Sequence, residues 1–475
     1  MAAPDNPPTH EILILGGNLG GVSAAHYLLR NVLPALHRAA DASDLGVSGP
    51  RFTITILSPN TDMYYKPASP RASAQPALMP EARLWRPLAA AFAPYGPGTA
   101  PNLVRGVAAA VDPRARTVTA RDPAGRAPDR ALRYDTLVVA TGTTSASPLW
   151  GLQSDQGATP AAYAALQRAL AAARTVLVAG GGAVGVEMAG ELACATSAAT
   201  VVLLSGGHRL LPRAKEAVGK AAEAYLTGKL AVEVVHGLTV TATEGPKAPE
   251  MGSTVVSLSD GSKREVDLYV DATGGQPNSD FLPRDWLDES GRVILRDGYF
   301  RARGLKNADE AAQGVYAIGD IVAGSANSLM ELEAVVPTAM TALGLDLART
   351  HKLHVPERLP WPQAILGTMG LVETRGKTLV QKEFKPMKDT MLVPIGTDGG
   401  VGVLFGWSLP SFFVKMVKGR DFLISMYDPI LAADHGETDD MKRFTRPGPA
   451  SRRLLTWSSR PYEIGTTTRP MFVGE

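Results

Sequence analysis

RTVLVAGGGAVGVE, residues 174–187, runs from an apolar strand through a knot of glycines into an Ala/Glu/Leu-rich helix. Gly180, Gly182 and Gly185 stand at the spacing G-x-G-x-x-G, between strand and helix. That order aims backbone N–H groups and a helix N-terminus at one point, which is what a pyrophosphate needs. The first glycine makes the tight turn, the second lets phosphate approach the backbone, and the third lets helix pack on strand. The stretch predicts an α/β dinucleotide-binding unit.

A second copy lies upstream in EILILGGNLGGVSAAHYLLR, residues 11–30. Gly16, Gly17, Gly20 and Gly21 keep the turn, while Asn18 fills the middle slot and Leu19 follows it. Asparagine tolerates unusual φ values better than most residues, which suits it to that slot. Ala24, Tyr27 and Leu28 share one face of a helix expected over 23–30. A β-branched strand, RFTITIL at 51–57, ends at Ser58, where an Asp or Glu usually holds the adenosine ribose. Downstream of the first-quoted copy the strand 200–204 likewise ends at Ser205, before GGHRL with His208 and Arg209. No acid there repels a 2′-phosphate and Arg209 stands close, so both NADH and NADPH remain open.

Each unit is closed by a strand ending in Ala-Thr-Gly: YDTLVVATG, with Thr141 and Gly142, and DLYVDATGG, with Gly274. GVYAIGD, residues 314–320, then delivers Gly319 and Asp320 at the carboxyl end of a strand, where ligands of open α/β sheets gather.

Composition narrows the function. At 475 residues and 45% hydrophobic the chain is expected to hold two or three soluble domains. With 48 basic and 46 acidic residues, nothing in its charge calls for nucleic acid or an anionic membrane. One cysteine, Cys194, excludes a CxxC redox pair and a thiolate metal site. The eight histidines form no HxxxH or HExxH pair and no G-x-S-x-G elbow occurs, so neither a metal nor hydrolase chemistry is expected. MAAPDNPPTH has no signal core, Ala2 stands where a myristoylated glycine would have to be, and no run reaches the length of a membrane span. A cytoplasmic protein is the expectation.

The ordered set GGxxGG, ATG, GGGAVGVE, ATG and AIGD resembles the two-dinucleotide-binding flavoprotein superfamily. MYYKPASPRA at 63–72 and LVPIGTDGGVGVLFGWSLPSFFVKMVKGRDFLI at 392–424 resemble the apoptosis-inducing-factor-like proteins, especially the ferroptosis-suppressor branch and its fungal relatives. The resemblance implies an α/β fold with two Rossmann-like dinucleotide-binding domains, for FAD and NAD(P), plus a C-terminal α+β domain. The expected division is 9–150 with 268–350 for FAD, 151–267 for NAD(P), 351–440 for the C-terminal domain, and a mobile tail over 441–475. It implies further that Gly16 to Gly21 wrap the FAD pyrophosphate, Asp320 meets the ribityl-phosphate part, and Val107 and Ala108 meet the adenine. Arg71 would lie near the flavin ring with Lys66 nearby, and Glu187 would face the nicotinamide. There is a physical case for the last pair: a guanidinium stabilises charge arriving in the ring, and a carboxylate can accept from the carboxamide while pairing with that guanidinium.

SLMELEAVVPTAM, residues 328–340, is expected to start a helix whose N-terminal amides face the flavin, with Val336 and Pro337 as further contacts. AILGTMGLVE at 364–373 and TLVQKEF at 378–384 read as strands. SFFVKMVKG at 411–419 is amphipathic and leaves three readings open: an aromatic face packed on its own domain, a wall of a quinone pocket, or peripheral contact with a membrane.

The function expected is an FAD-dependent NAD(P)H oxidoreductase passing hydride to flavin and on to a small organic acceptor, foremost a quinone. A flavin oxidoreductase or monooxygenase of a specialised-metabolite pathway is the enzymatic alternative, and a redox-dependent interaction protein the non-enzymatic one.

Overall fold

The strand expected at 12–15 runs over Thr9–Leu15 (β1) and passes through the glycine turn into helix α1 (Leu19–Tyr27). The structure is a computed structural model describing residues 9–42, 49–153, 155–196, 199–246, 249–250, 252–304, 313–357, 376, 378–387 and 389–425. α1 continues through a π-helical turn, Leu28–Val32, into Leu33–Asp41, so the helix expected over 23–30 is the front of a longer one. β2 (Arg51–Ser58), the short helix α2 (Ser69–Ala74), β3 (Asn102–Arg105) and β4 (Thr136–Val139) follow. The plan then repeats with β5 (Thr175–Ala179), α3 (Ala183–Ala195), β6 (Thr200–Ser205), β7 (Glu233–His236) and β8 (Leu268–Asp271). Last come β9 (Val315–Ala317) and the long helix α4 (Leu329–Thr350).

These strands form two parallel sheets, ordered β9-β4-β1-β2-β3 and β7-β6-β5-β8. In each, the strand leading into a glycine turn has the serine-ending strand on one side and the Ala-Thr-Gly strand on the other. The ladder bonds at the turns correspond: Gly16 N donates to Leu57 O (2.9 Å) and Ala140 N to Leu15 O (2.8 Å), while Gly180 N donates to Leu204 O (2.8 Å) and Ala272 N to Ala179 O (2.7 Å). Ile12 to Leu15 and Val176 to Ala179 are buried on both faces, as parallel strands covered by helices must be.

β8 pairs with β5, so residues 268–271 belong with the second sheet and the chain returns to the first sheet later than the expected boundary at 267/268. The segment 378–384 forms no strand. Its Leu379 is buried and its Val380 exposed, but Leu379 N donates to Pro356 O and the Gln381 amide to Thr338 O, so the segment is tied to a helix flank rather than to a neighbouring strand. The C-terminal region instead builds an antiparallel meander, β10 (Met391–Pro394), β11 (Gly400–Leu404) and β12 (Trp407–Leu409), before a short helix α5 (Ser411–Val414) and a π-helical turn, Lys415–Gly419. Residues 364–373 and 441–475 lie outside the described residues.

A Cβ on Gly21 would run into the Gly16 carbonyl, which is backbone and cannot yield without opening the turn, whereas one on Gly20 finds ordinary contacts with Ala140 and Leu332 at 3.7 and 3.9 Å. Gly21→Ala is therefore expected to cost about 2 kcal/mol or more and Gly20→Ala far less, read as loss of Tm. The reverse order would contradict this packing.

At the other end of β1, buried His10 bonds Thr136 Oγ1 through Nε2 (2.9 Å) and His351 Nε2 through Nδ1 (3.0 Å). Burial holds its pKa down at about 4, with His351 and Arg116 acting the same way and Asp135 opposing them. Between the ordinary value near 6.5 and about 4, the unfolded chain takes up a proton that folded His10 does not, so stability falls as pH drops through that window and stops falling on this account below it. His10→Gln is expected to flatten the decline of Tm over that range. An unchanged slope would refute the assignment.

Candidate cofactor site

At the carboxyl ends of the first sheet lies a cavity of about 860 Å³, within the size range of cofactor and ligand sites. Gly16, Gly17, Asn18, Leu19 and Gly20 line it, with Ser58, Lys66, Val107, Ala108, Thr141, Gly142, Gly319 and Asp320, all expected from the sequence. Gly21 stands behind the turn, closing helix onto strand. Gly16 has φ +112, a conformation that excludes side chains, and a Cβ there would strike Ala140 O.

Asn18 is accommodated for a reason other than the one expected. Its φ of −108 and ψ of −165 are extended, like those of Gly182 at −78 and −177, so the slot demands no unusual backbone. Its side chain turns aside: Oδ1 accepts from Tyr64 N and Nδ2 donates to Tyr64 O, both at 3.1 Å, tying the turn to the neighbouring segment. Ser58 is buried beneath Gly17, its hydroxyl donating to Asn60 O at 3.0 Å. Thr141 Oγ1 donates to Asn278 O (2.8 Å) and Asn278 Nδ2 returns a bond to Thr141 O (2.9 Å), so Asn278, which the sequence reading passed over, fixes the first ATG turn. Its signal was GGQPNSD, directly after the second ATG.

Lys66 Nζ and the Asp320 carboxylate form an ion pair inside the cavity, and Arg292 donates to the Asp320 carbonyl. α4 begins where expected, capped by Ser328 Oγ accepting from Glu331 N (3.1 Å). Its cavity-facing residues are Leu329, Glu331, Leu332 and Val335, while Val336 is buried elsewhere and neither it nor Pro337 reaches the cavity. The roughly 100° turn per residue of an α-helix separates neighbours that sequence alone does not.

Arg71 and Glu187 also depart from expectation, for neither lines the cavity and they do not pair with each other. Arg71 is 4% exposed, with Nε donating to Glu191 Oε2 (3.0 Å), Nη2 to Glu191 Oε1 (2.7 Å) and to Gly396 O (2.9 Å), and Nη1 to Gly419 O. The Phe422 ring lies 4.8 Å from its guanidinium carbon. A buried guanidinium needs a two-pronged acceptor, and Glu191, one turn beyond Glu187 on α3, supplies it. Glu187 takes Lys418 instead: Nζ donates to Oε1 at 2.7 Å and to Leu392 O at 3.0 Å. Burial raises the Glu187 pKa; Lys418 pulls it back, Glu191 pushes it further up and Arg71 draws it down. Glu191 and Lys418 were missed although the i, i+4 spacing of VEMAGE and the lysines of 411–419 were in view.

Around the second glycine turn, Gly180 has φ +132 and Gly185 packs on the Gly180 carbonyl, as in the first. Gly182 and Gly274 have open space where a Cβ would stand, leaving their backbone approachable. Ser205 is buried under Gly181. Arg209 bonds to carbonyls of its own loop, Nη1 donating to Ala214 O (2.9 Å) and Nη2 to Pro212 O (2.7 Å). In 411–419 Val414 and Gly419 are buried and Phe413 and Val417 half-buried, while Phe412 and Met416 are 67% and 59% exposed, so only part of the apolar face packs on its own domain.

A family model described as pyridine nucleotide-disulphide oxidoreductase matches residues 10–342. The chain is 28% identical to oxidoreductase phnG of Penicillium herquei over 92% of its length and 99% of that protein, and 30% identical to oxidoreductase ptaL of Pestalotiopsis fici over 87% and 96%. Human ferroptosis suppressor protein 1 is 22% identical over 87% of the chain and 94% of its own length. The fold resembles that of NDH2 from Plasmodium falciparum in complex with NADH, with TM-score 0.55 and 15% identity over 90% of this chain and 99% of that one. With both glycine turns, both ATG strands and the 319–320 turn within the matched span, the chain belongs to the pyridine nucleotide-disulphide oxidoreductase family and is an FAD-dependent NAD(P)H oxidoreductase.

Proposed function

We propose that the chain oxidises NAD(P)H and delivers the two electrons to a small organic acceptor, foremost a quinone, with FAD in the cavity of the first sheet and the nicotinamide dinucleotide on the second glycine turn. The observation that carries this is the duplication itself: two turns of the same construction, one of them facing a cavity that also receives Lys66 and Asp320. Bound FAD supplies two-electron chemistry that no side chain here can. The acceptor is external, because this sequence holds a single cysteine and so no dithiol to take the electrons.

In this reading the turn 16–20 and the start of α1 present N–H groups to the pyrophosphate, Asp320 orients hydroxyl-bearing parts of the cofactor, and Lys66 brings positive charge to the cavity where reduction adds negative charge. Glu187, held by Lys418, orients the nicotinamide amide at the start of α3. Arg71 acts through Glu191: it ties α2 to α3 and to the carbonyls of Gly396 and Gly419, and is a positioning residue. Neither NADH nor NADPH is preferred, since Arg209 is spent within its own loop and Ser205 offers no carboxylate.

Anaerobic titration of the purified protein with NADH and then NADPH, followed in the visible flavin band, tests the reading. Bleaching is expected; a protein that carries no flavin and cannot be loaded with FAD would sink it. Glu187→Gln is expected to retain FAD and slow bleaching about tenfold or more, a loss of roughly 1.4 kcal/mol in barrier terms. A normal rate would remove Glu187 from the site. Arg71→Ala strands the Glu191 carboxylate and is expected to cost about 3–5 kcal/mol of stability. A variant that melts like the parent would show that the pair is not holding the elements together.

A further inference from the structure

β2 ends in Ser58 and continues as Pro59-Asn60, with no acid at the place where Rossmann units hold the adenosine ribose. Ser58 does not stand in for one. Its hydroxyl is turned onto residue 60, donating to Asn60 O at 3.0 Å and accepting from Asn60 N at 3.3 Å, a local fold of the chain two residues on from the serine. That fold brings in Asn60, which lines the cavity together with Ser58 and Pro59. The neighbouring strand end is fastened alongside. Gly106 N donates to Ser58 O (2.9 Å) and Arg105 Nε to Pro59 O (3.3 Å), and Gly106, Val107 and Ala108 line the same cavity.

Asn60 is 4% exposed, and its side-chain amide is only half used. Nδ2 donates to Gln153 O at 3.0 Å, which fixes the amide's orientation, because the reverse would set oxygen against oxygen. Oδ1 is buried and has no hydrogen-bond partner among the described residues. A buried amide oxygen left without a donor is costly, and buried acceptors in folded proteins are met. Whatever meets this one must donate. Phosphate oxygens and the ring nitrogens of adenine only accept, whereas a ribose hydroxyl donates, and the end of the second strand is where a Rossmann unit takes that hydroxyl. We propose that Asn60 is the ribose acceptor of the FAD site, its Oδ1 receiving one hydroxyl of the adenosine ribose in place of the missing strand-end carboxylate. The assignment rests on the reading that FAD occupies this cavity. The amide takes the hydroxyl without burying a negative charge, as a carboxylate would.

The test is cofactor release from the full chain loaded with FAD or with its 2′-deoxyadenosine and 3′-deoxyadenosine forms, followed as flavin emission rising after dilution. In the parent protein one of the two deoxy forms is expected to leave about tenfold faster than FAD. Asn60→Ala is expected to release FAD about tenfold faster too, and to lose the preference, FAD and that deoxy form leaving at equal rates. A variant loosened only through its lost bond to Gln153 would keep the full preference, and that result overturns the assignment. A parent protein that holds both deoxy forms as firmly as FAD overturns it as well, with no substitution needed. Bleaching by NAD(P)H separates the two readings. A protein that holds FAD and bleaches while ignoring both hydroxyls refutes the role of Asn60 alone, and one that takes up no flavin overturns the oxidoreductase reading together with it.

Discussion

The contact on which the rest depends is the approach of a helix to the turn that precedes it, Gly21 on the Gly16 carbonyl and Gly185 on that of Gly180. Any side chain at either position would collide with backbone. Because the helix sits that close, its first N–H groups end just beyond the strand and point along the sheet's carboxyl edge. The positive φ of Gly16 and Gly180, and the fit of each against the following Ala-Thr-Gly strand, are consequences of the same close packing. Ser58 and Ser205 are buried at matching places, each against the glycine after the turn's first, Gly17 and Gly181.

A second constraint joins these units to the C-terminal meander. Two carboxylates one turn apart on α3 are buried, and each has found a cation from a different part of the chain: Arg71 from α2 for Glu191, Lys418 from beyond α5 for Glu187. Such pairs give little net stability over an apolar equivalent, but removing one partner leaves a charge with nowhere to go, so the arrangement specifies which surfaces meet. Phe422 sits within reach of both cations, 4.8 Å from the arginine carbon and 5.8 Å from the lysine nitrogen, and holds them beside one another.

What was legible in the sequence follows the same physics. Glycine spacing reports backbone geometry, which is local, so both turns and their flanking strands were readable, as was the start of a helix in the run 328–340. Asn18 was legible as a tolerated residue but for the wrong cause, because its partner, Tyr64, lies 46 positions away and no local pattern announces it. The partners of Arg71 and Glu187 lie 120 and 231 positions off, which is why the resemblance pairs the two residues with each other and the structure pairs each with a different residue. Val335 lines the cavity where Val336 was expected, a difference of one residue in helical phase that is invisible where several apolar residues run together. TLVQKEF has a strand's composition and no strand to pair with, since β-propensity describes a fit to neighbours rather than an intrinsic state.

The two constraints together give the site a direction. Two buried ion pairs converge on α3, the helix of the second glycine turn, while the first sheet's cavity is lined at α4 by Ser328, Leu329, Glu331, Leu332 and Val335. A dinucleotide carries phosphates and an amide and is retained by hydrogen bonds; a ring acceptor carries neither and is retained by area. In the first sheet's cavity the charged pair is Lys66 with Asp320, the latter delivered at the end of β9.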